Sequence, residues 1–275
     1  MSGRKGKKKK SNPVFAIIII ICLAIAAYAA YNLITIWMEY KTGQDEYDGL
    51  KRYTSSTIET SAAKADTAES AGESTTEVQQ QEKPPVWVDF EALKSINPDI
   101  AGWLYLGAED ISYPVVHYTD NDYYLHRTFE RTDNFAGSLF IDFQNKADLT
   151  DPNTLIYGHN MKDRSMFGRL KLLYENNDYQ KDDTFWVITE KTAYKYKIFS
   201  MQMTTDSSDI YTLFSAASPE VKDYITRCSE GSLVSLPIEG YDENSRVVTL
   251  STCQAATGSE RFVVQGILVN EVPME

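Results

Sequence analysis

No charged residue occurs between Val14 and Met38, and Ile17 to Ile21 is an unbroken isoleucine run. The stretch exceeds the ~20 apolar residues that take a helix across a bilayer. It divides the chain: residues 1–13 read as a basic segment, 14–38 as a transmembrane anchor, and any globular fold lies beyond. The cluster Arg4, Lys5, Lys7, Lys8, Lys9 and Lys10 ahead of the span is expected to stay cytoplasmic, with the C-terminal bulk outside the cell. A cleaved signal peptide is the competing reading, since Ala27-Tyr28-Ala29 has the small-x-small form of a cleavage site. The apolar run continues past it through Leu33, Ile34, Ile36 and Trp37, as in a stop-transfer segment, which favours a retained anchor.

Beyond the span the composition changes twice. Residues 39–53 mix charged and aromatic side chains, in keeping with a helix continuing out of the membrane. Residues 54–85 are dominated by Ser, Thr, Ala, Glu and Gln, and end at Pro84-Pro85. Such a segment buries too little surface to offset its chain entropy, so 39–85 is expected to be an extracellular stalk, largely disordered. The folded domain is expected over 86–275. Six of the 27 basic residues lie in residues 1–38, which hold no acidic residue, so the remainder sets 21 against 39, a balance of −18. That excludes nucleic acid as a partner, because phosphate binding needs cations on the folded part.

Within 86–275, Asp89–Ile96 reads as a short helix closed by Asn97-Pro98. Strand patterns follow at Gly102–Leu106, Ser112–Tyr118, Ser138–Phe143 and Thr154–Gly158, then at Phe185–Thr189, Tyr194–Met203, Val247–Thr252 and Phe262–Val269. Phe167–Tyr174 and Pro219–Ser229 carry apolar residues at helical spacing. Many strands with few short helices predict a mainly β domain, a barrel or sandwich with helical insertions.

Cys22 lies within the span, leaving Cys228 and Cys253 outside. A disulfide between these two is one reading; Cys228 as a small buried helix residue is the other. Cys253 ends the run Val247-Val248-Thr249-Leu250-Ser251-Thr252. A cysteine nucleophile works as thiolate, and needs a cation or hydrogen-bond donor nearby and a proton carrier for the leaving amine. Of the three histidines, His117 and His126 sit among aromatics and read as satisfied or surface groups. His159 follows the apolar run Leu155-Ile156-Tyr157-Gly158, at a strand end where rigid scaffold hands over to exposed chemistry. Arg261 opens the last strand, and the connection Gln254–Glu260 lets it neighbour Cys253. A thiol, an imidazole and a guanidinium are the parts of a thiolate acyl-transfer site. No zinc or calcium spacing appears, so no metal or other cofactor is expected.

These residues stand in a longer pattern. The matching pieces are Asn97-Pro98-Asp99-Ile100-Ala101-Gly102-Trp103-Leu104, Tyr113-Pro114-Val115-Val116, Asp120-Asn121-Asp122-Tyr123-Tyr124-Leu125 and Gly137-Ser138-Leu139-Phe140-Ile141-Asp142. Thr154-Leu155-Ile156-Tyr157-Gly158-His159-Asn160-Met161, Leu250-Ser251-Thr252-Cys253 and Arg261-Phe262-Val263-Val264 follow in order. Together they resemble the sortases, cell-wall transpeptidases of Gram-positive bacteria, and within them class B. The resemblance implies a closed eight-stranded β-barrel with Cys253 as nucleophile, His159 as acid/base partner and Arg261 holding the substrate carbonyl or the oxyanion. It further implies that Asn121, Leu125, Tyr157 and Ser251 line the groove for the sorting signal, although Leu125 and Tyr157 equally suit a core. The family's mobile loop maps near Ser207–Tyr211. Two departures stand out: Gln254 occupies a place where class B members often carry an acid, and the Cys253–Arg261 connection is short.

The resemblance thus implies a membrane-anchored enzyme that cleaves the C-terminal sorting motif of surface proteins through a thioester. The acyl group then passes to a peptidoglycan cross-bridge amine or its lipid-linked precursor. A pilin-polymerising sortase, using a lysine of another pilin as acceptor, is the nearest alternative. A hydrolytic cysteine peptidase is a third reading. A catalytically silent scaffold with a Cys228–Cys253 disulfide belongs to a different class.

Overall fold

The computed structural model describes residues 13–57, 82–253 and 259–274. The chain divides into two compact units, Met1–Thr42 and Gly43–Glu275. Helix α1, Pro13–Leu50, begins in the first and ends in the second. In the first unit its apolar side chains point outward all round, Ile17, Leu23, Leu33 and Trp37 among them. A helix apolar on every side suits lipid, and among the described residues this one is long and apolar enough to cross a membrane.

The second unit holds β1 (Thr54–Ser56), β2 (Val86–Val88), α2 (Phe90–Ile96), β3 (Ile100–Leu106), β4 (Ile111–His117), β5 (Leu139–Ile141) and β6 (Asn153–His159). It continues through α3 (Leu172–Glu175), β7 (Thr184–Ile188), β8 (Thr192–Thr205), α4 (Pro219–Glu230), β9 (Val247–Cys253) and β10 (Glu260–Pro273). Strands β3 to β10 close a barrel in the order β10-β8-β7-β3-β4-β5-β6-β9. The pairs β4–β5 and β6–β9 are parallel and the rest antiparallel. All eight expected strands are present, and closure leaves the barrel without a free edge. Ile156, Leu250 and Val264 are register partners on three adjacent strands and fully buried. Each such side chain contributes roughly 1.5–3 kcal/mol by leaving water.

Helix α4 covers the other face of β8, β9 and β10. Its apolar residues Val221, Tyr224, Ile225 and Cys228 recur at one-face helical spacing and pack on Phe199, Val247, Val263 and Ile267. Pro219 opens the helix, where a missing N–H costs nothing. Cys228 is buried there as a free thiol, so the bridge to Cys253 is not formed. Burial pushes the Cys228 thiol up to about 11, leaving it protonated and inert.

Two expectations differ from the structure. Residues 43–57, expected within the stalk, belong to the barrel-bearing unit: Tyr47 and Leu50 are buried, and β1 pairs with β2. Gly43, Tyr47 and Leu50 recur at i, i+4 and i+7, a single buried stripe whose small membership hid it among charged neighbours. Residues 58–81 of the expected stalk, and residues 1–12 of the basic segment, lie outside the described residues. The helix expected over Phe167–Tyr174 is instead a 3-10 turn, Phe167–Arg169, followed by α3. Phe167, Leu170 and Leu173 are buried as their spacing implied, but the first turn closes tightly, with the Leu170 N–H donating to the Phe167 carbonyl at 3.0 Å, before α3 begins.

Candidate active site

Strands β6 and β9 run side by side in register from Asn153↔Val247 to His159↔Cys253. Alternation along β6 sends Thr154, Ile156 and Gly158 inward and leaves Asn153, Leu155, Tyr157 and His159 on the outer face. Gly158 is required at its position: a Cβ there would overlap Leu139 and Phe167. A buried polar ladder runs across the outer face. Thr249 donates its hydroxyl to Asn153 Oδ1 (2.8 Å), and Gln265 Nε2 donates to Thr249 (3.1 Å) and to Tyr224 (2.7 Å). Tyr224 in turn donates to the Ile210 carbonyl (2.7 Å), and Asn153 Nδ2 to the Thr212 carbonyl (2.9 Å). The ladder therefore pins the 3-10 turn Asp209–Tyr211 over the sheet.

Above that turn lies a cleft of about 240 Å³ lined by Asn121, Leu125, Phe140, Tyr157, Asp206, Tyr211, Ser251 and Arg261. All four residues implied for the sorting-signal groove, and Arg261, thus meet at one cleft. Asn121 Nδ2 (2.8 Å) and the Tyr157 hydroxyl (3.1 Å) both donate to Asp142 Oδ2, which fixes one wall. Tyr211 adjoins that wall: its hydroxyl lies 2.8 Å from Ser251 Oγ and its ring stacks at 6.4 Å on Tyr157.

His159 is half-buried beside this cleft, with Nε2 2.7 Å from the Leu125 carbonyl. A carbonyl only accepts, so Nε2 carries the hydrogen, and Nδ1 is left to take up or release a proton. Burial pushes the imidazole below its ordinary pKa, and the Leu125 carbonyl partly opposes the shift. The side chain is therefore mainly neutral near pH 7 and a ready donor once protonated. His126 is an exposed partner of Asp122 at 3.7 Å, and His117 sits half-buried in β4.

By the two-residue period, position 253 lies on the same face of β9 as Ser251. On the other flank, Val263 of β10 pairs with Ser251 and Arg261 precedes it by two residues, at the same end of the sheet. The Arg261 guanidinium lies 3.8 Å from Asp206 and donates from Nη1 to the Glu260 carbonyl at 3.1 Å. Residues 254–258, including Gln254, lie outside the described residues.

Sequence reasoning missed Asp206, Phe140 and Tyr211 as cleft residues. Tyr211 had a signal, standing at the end of the segment Ser207–Tyr211 already marked as a loop. Asp206 and Phe140 had none, because only barrel closure brings β5 and the end of β8 to the same cleft.

Comparison with known proteins agrees with this architecture. The sortase-domain family model matches residues 104–269. A sortase B of Listeria monocytogenes is 36% identical over 188 residues, covering 66% of this chain and 75% of the relative. The structure of sortase B from B. anthracis in complex with AAEK1 superposes with a TM-score of 0.64 at 29% identity, over 86% of this chain and all of the other. A Staphylococcus aureus sortase B–substrate complex gives 0.66 at 25% identity, over 85% of this chain and 99% of the other.

Proposed function

This chain belongs to the sortase family, class B, and on that premise we propose that its chemistry runs through Cys253, His159 and Arg261. The protein is a cysteine transpeptidase of cell-wall sorting. The observation that carries the residue assignment is the ladder pairing of His159 with Cys253 at the open end of two parallel strands. An acid/base group and a thiol on adjacent strands of a closed barrel are held by backbone hydrogen bonds, which is the preorganisation acyl transfer needs.

The steps follow from the groups. The Cys253 thiol gives its proton to His159 Nδ1, and the thiolate attacks the carbonyl carbon of the scissile peptide bond. The carbonyl oxygen becomes an oxyanion, and the Arg261 guanidinium neutralises it. Collapse breaks the C–N bond, the leaving amine takes the proton from His159, and the acyl group stays on Cys253 as a thioester. An incoming amine then attacks the thioester, gives its proton back through His159, and restores the thiol. Burial of His159 makes its protonated form a stronger acid, which favours delivery to the leaving amine.

The sorting signal lies, in this reading, along the cleft lined by Asn121, Leu125, Tyr157, Tyr211 and Ser251. The acceptor is a peptidoglycan amine. The apolar part of α1 anchors the enzyme, with the basic N-terminus cytoplasmic and the barrel outside. The test is the full chain in detergent micelles, given peptides ending in NPxTx, LPxTG or PPxTG-type motifs with either a cross-bridge amine or a pilin-type lysine peptide. Mass spectrometry identifies the product. One motif is cut and joined to the cross-bridge amine by the wild type, and Cys253→Ala forms no thioester. Turnover by Cys253→Ala would sink the assignment, and transfer to the lysine peptide alone would replace the acceptor.

A further inference from the structure

The Tyr47 side chain is buried, and its hydroxyl is fully used. It donates to the Gly137 carbonyl at 2.7 Å, lies 3.1 Å from Ser138 Oγ, and accepts from the Phe129 N–H at 3.2 Å. The ring is held independently, edge-on to Tyr113 at 5.5 Å between centroids. A single phenol oxygen with three partners on one loop is a fastening point for that loop.

The loop it fastens runs from the 3-10 turn Tyr123–Leu125 to Ser138, where the chain enters β5. Its two ends are tied to each other, since the Ser138 N–H donates to the Tyr124 carbonyl at 2.9 Å. Gly137 stands between them at φ 58°. It is packed so closely that an added Cβ would stand 2.7 Å from the Leu125 oxygen and 3.0 Å from His159 Cδ2. The Leu125 oxygen is the acceptor of the His159 Nε2 hydrogen bond. The carbonyl that orients the imidazole and the glycine against which its ring lies thus belong to the one loop that the Tyr47 hydroxyl holds.

We propose that Tyr47 is a positioning residue for transpeptidation: its hydroxyl fixes the Gly137–Ser138 turn, and that turn with the Leu125 carbonyl sets the orientation of His159. The inference rests on the reading of His159 as the acid/base group. In this reading Tyr47 acts through the loop. Without the hydroxyl the Gly137 carbonyl and the Phe129 N–H lose a buried partner, and the turn is free to shift by a fraction of an ångström. Misplacement on that scale costs catalysis far more than it costs folding.

The test uses the full chain in detergent micelles. Tyr47→Phe keeps the ring on Tyr113 and removes only the hydroxyl. Turnover is expected to fall about tenfold in kcat with KM within about twofold. The imidazole titrations, followed by NMR on a chain with only three histidines, supply a readout that a merely structural role would not move. The His159 signal, assigned by its loss in His159→Gln, is expected to titrate at higher pH in Tyr47→Phe as the ring becomes better hydrated, with His117 and His126 unchanged. Wild-type kcat with an unmoved His159 titration overturns the proposal, as does a shift shared by all three histidines. If Tyr47→Phe loses its cooperative unfolding transition, Ser138→Ala leaves Tyr47 bonded to Gly137 and Phe129 and is judged by the same two readouts. Retained turnover in His159→Gln removes the acid/base reading by itself, while the selective titration shift still decides whether Tyr47 positions the ring.

Discussion

His159 and Cys253 are direct partners in the parallel ladder between β6 and β9. Neighbouring strands stand about 4.8 Å apart, so backbone hydrogen bonds, rather than a loop, set the spacing of an imidazole position and a thiol position. The opposite flank is set the same way: β10 pairs with β9 through Val263↔Ser251, which brings Arg261 to the same end.

Arg261 reaches Asp206 with one guanidinium nitrogen and the Glu260 carbonyl with another. A lysine offers a point charge and cannot make both contacts while presenting a donor to an oxyanion. Arg261→Lys is expected to lower kcat/KM by about 100-fold, the lower end of the range for losing one oxyanion donor. Its unfolding temperature should stay within about 2 °C of wild type. Peptide cleavage kinetics and calorimetry together check this, and a loss of less than about threefold would remove Arg261 from the transition state.

Asp206 is tied at the end of β8, where its N–H donates to the Ser259 carbonyl at 3.2 Å. Its carboxylate is mostly exposed, so the pair with Arg261 adds little to stability. Its effect is expected on orientation: Asp206→Asn lowers kcat/KM by about three- to tenfold, and Asp206→Glu recovers most of the loss. The recovery distinguishes steering of Arg261 from simple disturbance of the cleft. Equal losses in both variants would argue against steering.

Gly137 and Gly240 both have positive φ, but only Gly137 is crowded. Gly137→Ala places a methyl group against two carbonyls and the His159 ring. A cost of at least about 2 kcal/mol is expected from strain and overlap together, or about 4–8 °C in unfolding temperature, along with loss of turnover. Gly240→Ala meets nothing within 4 Å and is expected to cost about 1 kcal/mol while leaving turnover intact. Equal kinetics for the two variants would contradict the link between Gly137 and His159.

Far from the cleft, Glu109 and Asp178 are buried together. Burial, and then the neighbouring Asp178, push the Glu109 carboxyl up to about 7. The sign follows from linkage: a carboxyl whose folded pKa exceeds its unfolded value of about 4.5 favours folding when protonated. That contribution is complete below about pH 4.5 and is lost as pH rises through about 7. Glu109→Gln, a neutral mimic, is expected to flatten the decline in unfolding temperature between about pH 5 and 8, and to raise it by about 2–4 °C at pH 8. A variant that parallels wild type across that range would show that Glu109 is not the group titrating.

Much of the barrel was legible in the sequence. Strand alternation and helix periodicity are local patterns, and they located all eight strands and the α4 stripe Val221, Tyr224, Ile225 and Cys228. Local periodicity also explains the errors. The stripe Gly43, Tyr47 and Leu50 was too sparse among charges to register, and the Phe167–Leu173 stripe was correct about burial but silent about the 3-10 turn ahead of α3.

The membrane-span candidate, the positions of the strands along the chain, and a cysteine, a histidine and an arginine each at a strand end were determined by the sequence alone, because each depends on residues close together in the chain. That β6 lies parallel to β9 in a register pairing His159 with Cys253 was decided only by the tertiary structure. So was the meeting of Asp206, Tyr211 and Arg261 at one cleft, and the reach of Tyr47 to the loop behind His159. Ladder register and barrel closure are long-range choices made by the packing of the whole core, and no window of neighbouring residues contains them.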